Sequence, residues 1–230
     1  MSLVITPVPA ATVPVVGGGE FPVHRIYCVG RNYVEHAQEM GHSGREPPFF
    51  FLKPADAVLP VREGEVGRMR YPTLTQDLHH EVELVVALGT GGRDVPVERA
   101  LDLVWGYAVG LDMTRRDLQN EMREKKRPWD IGKSFAQAAP IAPIHPVAQT
   151  GLLSRGAITL DVNGARRQQG DLSDMIWDVP HTLSFLSRYY ELMPGDLVFS
   201  GTPAGVGAVV KGDRLDGRIE GLTPLSVVIE

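Results

Sequence analysis

The chain has 230 residues, with 23 Lys plus Arg against 28 Asp plus Glu, for a formal charge of −5. That length allows one sizeable core, and without a basic excess there is no electrostatic footing for a nucleic-acid partner. Cys28 is the single cysteine, which excludes an internal disulfide framework and suits a reducing compartment. No stretch approaches the roughly 20 apolar residues of a membrane span, and the first residues do not read as a signal peptide, so a soluble cytoplasmic protein is expected.

Residues 1–24 are rich in Val, Pro and Gly and read as a short N-terminal arm or one or two edge strands. "RIYCVG" then reads as a buried strand, and "RNYVEHAQEMG" as a helix with Gly41 at its C-terminal end. "PPFFFLKPADAVL" is extended between prolines, and "EVELVVALG" is a strand. "VPVERALDLV" is a short helix, followed by the apolar strand "WGYAVGLDM". "TRRDLQNEMREKK" is a helix, with Thr114 and Asp117 in capping-box spacing and Arg127-Pro128-Trp129 as its breaker. "AITLDVNGARRQQG" predicts a hairpin turning at Asn163-Gly164. "VPHTLSFLSRYYEL" is a helix, "DLVFSGTPAGVG" a strand with a glycine-rich loop, and the tail alternates like an antiparallel pair. With no repeat and no linker, residues 25–230 form one expected domain of the α+β class, mainly β with a few helices.

Within this pattern Glu81 and Glu83 fall on one face of an otherwise buried strand. Two desolvated carboxylates repel unless a positive charge lies between them. A divalent cation would resolve the conflict, and oxygen ligands suit Mg²⁺, Ca²⁺ or Mn²⁺. Asp112, at the end of the next apolar strand, is the third candidate ligand. Solvent exposure of the strand face is the competing explanation. His36 and Glu39 share a helix face, so the carboxylate can orient the imidazole to activate a water, or the pair can simply be exposed. Lys53 and Lys133 follow apolar or aromatic residues and suit oxyanion stabilisation or surface snorkelling. "SGTPAGVG" lacks a phosphate-loop ending, but its glycines and the Thr202 hydroxyl suit an anionic ligand.

Eight blocks in order, from "CVGRNYVEHAQEMG" and "HHEVELVVALG" through "RPWDIGKSF" to "GDRLDGRIEGLTPLSVVIE", resemble the fumarylacetoacetate hydrolase family from about His24 to the end. Within that family the chain is most similar to the short bacterial branch of fumarylpyruvate hydrolases and acylpyruvases. The resemblance implies a mixed β-sandwich roll, Mg²⁺ (or Mn²⁺), a homodimer, and carbon–carbon cleavage of a diketo acid in aromatic-compound catabolism. It places the metal ligands on Glu81, Glu83 and Asp112 and the water-activating pair on His36 and Glu39. The catalytic lysine falls on Lys133, and substrate contacts fall on Arg31, Lys53, Arg116, Gln119 and Thr202; for Gln119 the chemistry suggests a donor to the tetrahedral oxyanion. Two rivals remain. One is oxaloacetate decarboxylation or keto–enol isomerisation on the same scaffold; the other is a non-catalytic metal-binding or ligand-binding relative.

Overall fold

A computed structural model describes residues 4–33 and 46–230; most of the helix expected over "RNYVEHAQEMG", with His36 and Glu39, lies outside them, and its first three residues are not helical, Arg31 having φ 58° and Tyr33 forming a β-bridge with Met175. The architecture is α+β and mainly β. A mixed central sheet runs in the order Phe49–Lys53, Ile26–Gly30, Leu197–Phe199, Val82–Leu88, Val104–Leu111, Ala139–Ile141, Val58–Pro60, and His145–Pro146 also pairs with Val104–Leu111. A five-stranded sheet contains the predicted hairpin, Ala157–Val162 with Ala165–Asp171, and the antiparallel tail, Arg214–Ile219 with Leu225–Ile229. Asn163 and Gly164 both have positive φ, 52° and 79°, as the tight hairpin turn requires.

Strand alternation sends the side chains of Val82–Leu88 into two cores. Val82, Leu84 and Val86 pack with Ile158, Leu160 and Leu215 of the five-stranded sheet. Val85 and Ala87 pack on the opposite face with Cys28 and Phe199. The N-terminal segment closes this second core: Thr12–Pro14 pairs with Glu20–Pro22, and Val13 and Phe21 are buried there. Each such apolar side chain contributes about 1.5–3 kcal/mol through burial.

The strand expected over "EVELVVALG" begins at Val82, and the chain has changed sheets at Glu81. Leu78–His80 belongs to a three-stranded sheet with Thr114–Arg115 and Gly207–Val209. These three strands are continuations of three neighbours in the central sheet, Val82–Leu88, Val104–Leu111 and Leu197–Phe199. Each chain leaves one sheet and enters the other at a bend, and the bends hold Glu81, Asp112 and the Ser200–Val206 loop. The pairing survives the crossing, because Asp112 N–H donates to Glu81 O at 2.9 Å.

The capping box does not form. Thr114 lies in the short strand and its hydroxyl donates toward Glu81 at 3.3 Å, while the helix starts at Arg116. Asp117 instead accepts from Thr75 Oγ1 at 2.6 Å and from Gln76 N–H at 2.8 Å. Tertiary partners outcompete the local cap at both positions.

Candidate metal centre and active site

At the sheet junction Glu81, Glu83 and Asp112 are all buried, and each offers an oxygen within 4.8 Å of the others. Their register explains the convergence. Glu83 lies opposite Gly110, and Asp112, two residues further, lies opposite Glu81, so all three point to one face. Burial, with the charges of Asp112 and Glu81 beside it, pushes the Glu83 carboxyl well above the ordinary range. Gly201 N–H donates to Glu83 Oε2 at 2.7 Å and partly opposes that shift.

Three cations neutralise the cluster. Lys133 Nζ donates to Asp112 Oδ2 at 2.7 Å and to Glu81 Oε2 at 2.9 Å. Burial alone would lower its pKa, but Asp112 and Glu81 outweigh it and hold Lys133 above the usual lysine value. Lys53 Nζ lies 2.8 Å from Asp112 Oδ1 and also meets Met113 O and Lys133 O. Arg116 ion-pairs with Glu81 and donates to Gln119 Oε1. An all-oxygen, triply anionic donor set with this geometry fits a hard divalent cation, which would leave the site with a net positive charge for an anionic ligand.

A donor census sorts the expected site residues. An ammonium has three N–H groups. Lys53 is fully buried, donates to two carbonyls and ion-pairs with Asp112, and it does not line the cavity over the carboxylates. Among the described residues two acceptors engage Lys133, which leaves one N–H for the cavity it lines. Because Gln119 Oε1 accepts from Arg116, its Nε2 is the group left for a ligand. Over the carboxylates lies a cavity of about 30 Å³, walled by Arg31, Phe51, Arg116, Gln119, Trp129, Lys133 and Thr202. A larger cavity of about 370 Å³ shares Phe51, Trp129 and Lys133 with it. Arg31 has a positive φ of 58°, and its Nε is buried without a hydrogen-bond partner among the described residues. His36 and Glu39 lie outside the described residues.

Two buried amides at the site had no signal in the sequence. Asn32 donates to Ser200 O at 2.7 Å and to Trp177 O at 2.8 Å, holding the loop that carries Thr202. Gly201, with φ +97°, packs so closely on Asn32 that a Cβ would sit 2.7 Å from the asparagine Cβ. Gln168 holds the other side of the same loop. Gln168 lies in an ordinary polar stretch and Asn32 in a segment whose spacing suggested a helix, and only long-range packing reveals them.

Residues 25–230 match the family model described as fumarylacetoacetate (FAA) hydrolase, C-terminal. A fumarylpyruvate hydrolase of Ralstonia sp is 44% identical over 184 residues, 80% of this chain and 93% of that protein. A mitochondrial oxaloacetate tautomerase (FAHD1) of Rattus norvegicus is 42% identical over 205 residues, 89% of this chain and 91% of that protein. The crystal structure of fumarylpyruvate hydrolase from Pseudomonas aeruginosa in complex with Mn²⁺ and pyruvate is similar with a TM-score of 0.98 at 54% identity, covering 99% of each chain.

Proposed function

The chain belongs to the fumarylacetoacetate hydrolase family, and from that premise we propose that it hydrolyses the carbon–carbon bond of an acylpyruvate, with fumarylpyruvate as the preferred substrate, in aromatic-compound catabolism. The observation that carries this reading is a cluster of three buried carboxylates, two of which, Glu81 and Glu83, line one cavity together with Lys133 and an oriented glutamine amide. The likeness to the fumarylpyruvate hydrolases supports it.

Glu81, Glu83 and Asp112 would hold Mg²⁺ or Mn²⁺. When bound, the cation would chelate the keto acid and spread the charge of the enolate that cleavage leaves. His36, oriented by Glu39, would take a proton from the attacking water. Gln119 Nε2 would donate to the oxyanion formed at the attacked carbonyl. The hydroxyl ends on the acyl carbon, and the bond to the neighbouring carbon breaks. Its electron pair becomes the enolate, toward which Lys133 presents its remaining N–H. Reprotonation then yields pyruvate and a carboxylic acid, fumarate for a fumaryl group.

Lys53, buried and ion-paired with Asp112, acts in this reading by holding that carboxylate rather than by touching substrate. Arg116 is occupied by Glu81 and Gln119, which leaves Arg31 as the guanidinium best suited to a distal carboxylate. Thr202 closes the keto-acid end. A cytoplasmic homodimer completes the proposal, on the strength of family resemblance.

The second reading, oxaloacetate tautomerisation or decarboxylation, is supported by the tautomerase relative and needs no attacking water. Purified protein with Mg²⁺ or Mn²⁺ separates the readings when offered fumarylpyruvate, acetylpyruvate and oxaloacetate in parallel. Release of fumarate and pyruvate as the fastest reaction is expected. Turnover of oxaloacetate alone would transfer the assignment to the second reading, and turnover of none would make the chain a binding relative.

A further inference from the structure

Gln168 is fully buried on the strand Ala165–Asp171, whose flanking residues Arg167 and Gln169 are exposed. Both ends of its amide are in use. Oε1 accepts from Val82 N–H at 3.1 Å and from His80 Nδ1–H at 2.9 Å. Nε2 donates to Thr202 Oγ1 and to Pro203 O, both at 2.8 Å. Val82 sits between two of the carboxylates, and Thr202 lines the cavity above them. One side chain therefore reaches from the five-stranded sheet into the junction and ties the carboxylate segment to the Thr202 loop. The Thr202 hydroxyl donates its proton to Val82 O at 2.7 Å, and Gln168 occupies one of its lone pairs. The hydroxyl's one proton is therefore spent on Val82 O, and Thr202 meets the cavity as part of its wall and not as a donor.

We propose that Gln168 is a positioning residue of this site: it sets the register of Glu81 and Glu83 against the Thr202 loop, and with it the cavity wall that the keto acid would meet. The part concerning substrate rests on the acylpyruvate reading; the part concerning the carboxylates does not. Removing the amide strands two buried donors, Val82 N–H and His80 Nδ1–H, and frees the loop to move away from Val82. Partners of this outer kind commonly change metal affinity by about 10–100-fold.

Mn²⁺ binding, and pyruvate binding to the Mn²⁺-loaded protein, are measured by calorimetry for wild type, Gln168→Leu, Gln168→Glu, Thr202→Val and the Gln168→Leu/Thr202→Val double variant. Gln168→Leu is expected to weaken Mn²⁺ and pyruvate by about tenfold or more each. Gln168→Glu keeps both acceptor bonds and loses both donor bonds, so Mn²⁺ binding persists while pyruvate weakens; this arm decides the matter if the leucine variant does not fold. In the Thr202→Val background, Gln168→Leu should cost pyruvate less than in wild type, because one of the two bonds from the amide to the loop is already gone while that to Pro203 O remains. A lower melting temperature in both Gln168 variants with wild-type affinities would mean that Gln168 only stabilises the fold, and would overturn the proposal. A wild type that binds Mn²⁺ but not pyruvate would overturn the acylpyruvate reading instead, and the Mn²⁺ arm would then judge Gln168 alone.

Discussion

Gly132→Ala tests how tightly the site is assembled. Gly132 lies in the turn Asp130–Lys133, one residue before the central lysine. A Cβ at Gly132 would meet N, Cα and Cβ of Gln119 at 2.9 Å each. Relaxed contact between carbon atoms is about 3.5–4.0 Å, so the helix Arg116–Glu124 would have to retreat by roughly 0.6–1 Å. Two of the three atoms are backbone, and no flexible side-chain end is available to give way. Overpacking of this kind costs about 1–3 kcal/mol, while replacing glycine in a helical turn returns about 0.5–1 kcal/mol. The net destabilisation is then about 0.5–2 kcal/mol, or a drop of roughly 1–8 °C in Tm for a chain of this size. Activity should suffer more, because a displacement near 1 Å of a positioned donor can cost about 10²-fold. We expect kcat for fumarylpyruvate to fall by roughly 10- to 100-fold. Mn²⁺ affinity should hold, since the carboxylates lie on other segments. In a Gln119→Ala background the same glycine change should cost little further activity. Wild-type Tm together with wild-type kcat in Gly132→Ala would refute the packing argument outright.

Glu83→Ala should abolish metal-dependent turnover yet melt no lower than the metal-free wild type, because a desolvated carboxylate beside two others is removed; full activity of metal-stripped wild type would show that the centre is misread. His36→Ala should reduce acylpyruvate cleavage by roughly 10²–10⁴-fold, the worth of a general base, and oxaloacetate turnover much less; equal losses would point to substrate positioning. Arg31→Met should lower kcat/KM for fumarylpyruvate by about 2–5 kcal/mol in transition-state terms while sparing acetylpyruvate, and equal effects on both substrates would remove Arg31 from the acyl end. The last concerns pH. Burial holds His80 and His145 below the ordinary imidazole value, and His145 Nε2 accepts Thr223 N–H at 2.9 Å, which protonation would forbid. The unfolded chain therefore binds more protons below about pH 6.5. Stability should be fully present above that value and fall as pH drops toward the lower folded-state values. Urea midpoints between pH 7.5 and 5.5 check this, with a flatter slope expected in His145→Gln.

Local chemistry made much of the chain legible in advance. Asn163-Gly164 needs left-handed backbone wherever it occurs, so the hairpin was readable. The alternation around Val82, Leu84 and Val86 and the apolar run before Asp112 marked buried strands by period alone. The conflict of Glu81 and Glu83 on such a strand set a bound cation against solvent exposure, and the ordered blocks of family resemblance pointed to the same carboxylates, with Asp112, as metal ligands. What no local pattern held was the break that makes the site. "EVELVVALG" reads as one continuous strand, yet the chain changes sheets at Glu81, its first residue, because its neighbours from Val104–Leu111 and Leu197–Phe199 bend at the same level. Thr114 and Asp117 looked like a cap because their spacing satisfies one, but partners distant in sequence, Glu81 and Thr75, took their hydrogen bonds. The lysines show the same limit. "FFFLK" and "DIGKSF" present similar apolar contexts, but the fold surrounds Lys53 with three acceptors and leaves Lys133 one N–H to spend on a ligand. Gln168 and Asn32 gave no sign at all: a polar residue on a polar strand reveals its role only when another segment closes over it, and Asn32 only through its bonds to Trp177 and Ser200, about 145 to 168 residues away. Residue type and spacing determined which chemistry was available, and the convergence of segments about 30 to 120 residues apart decided which atoms would face the same few ångströms of space.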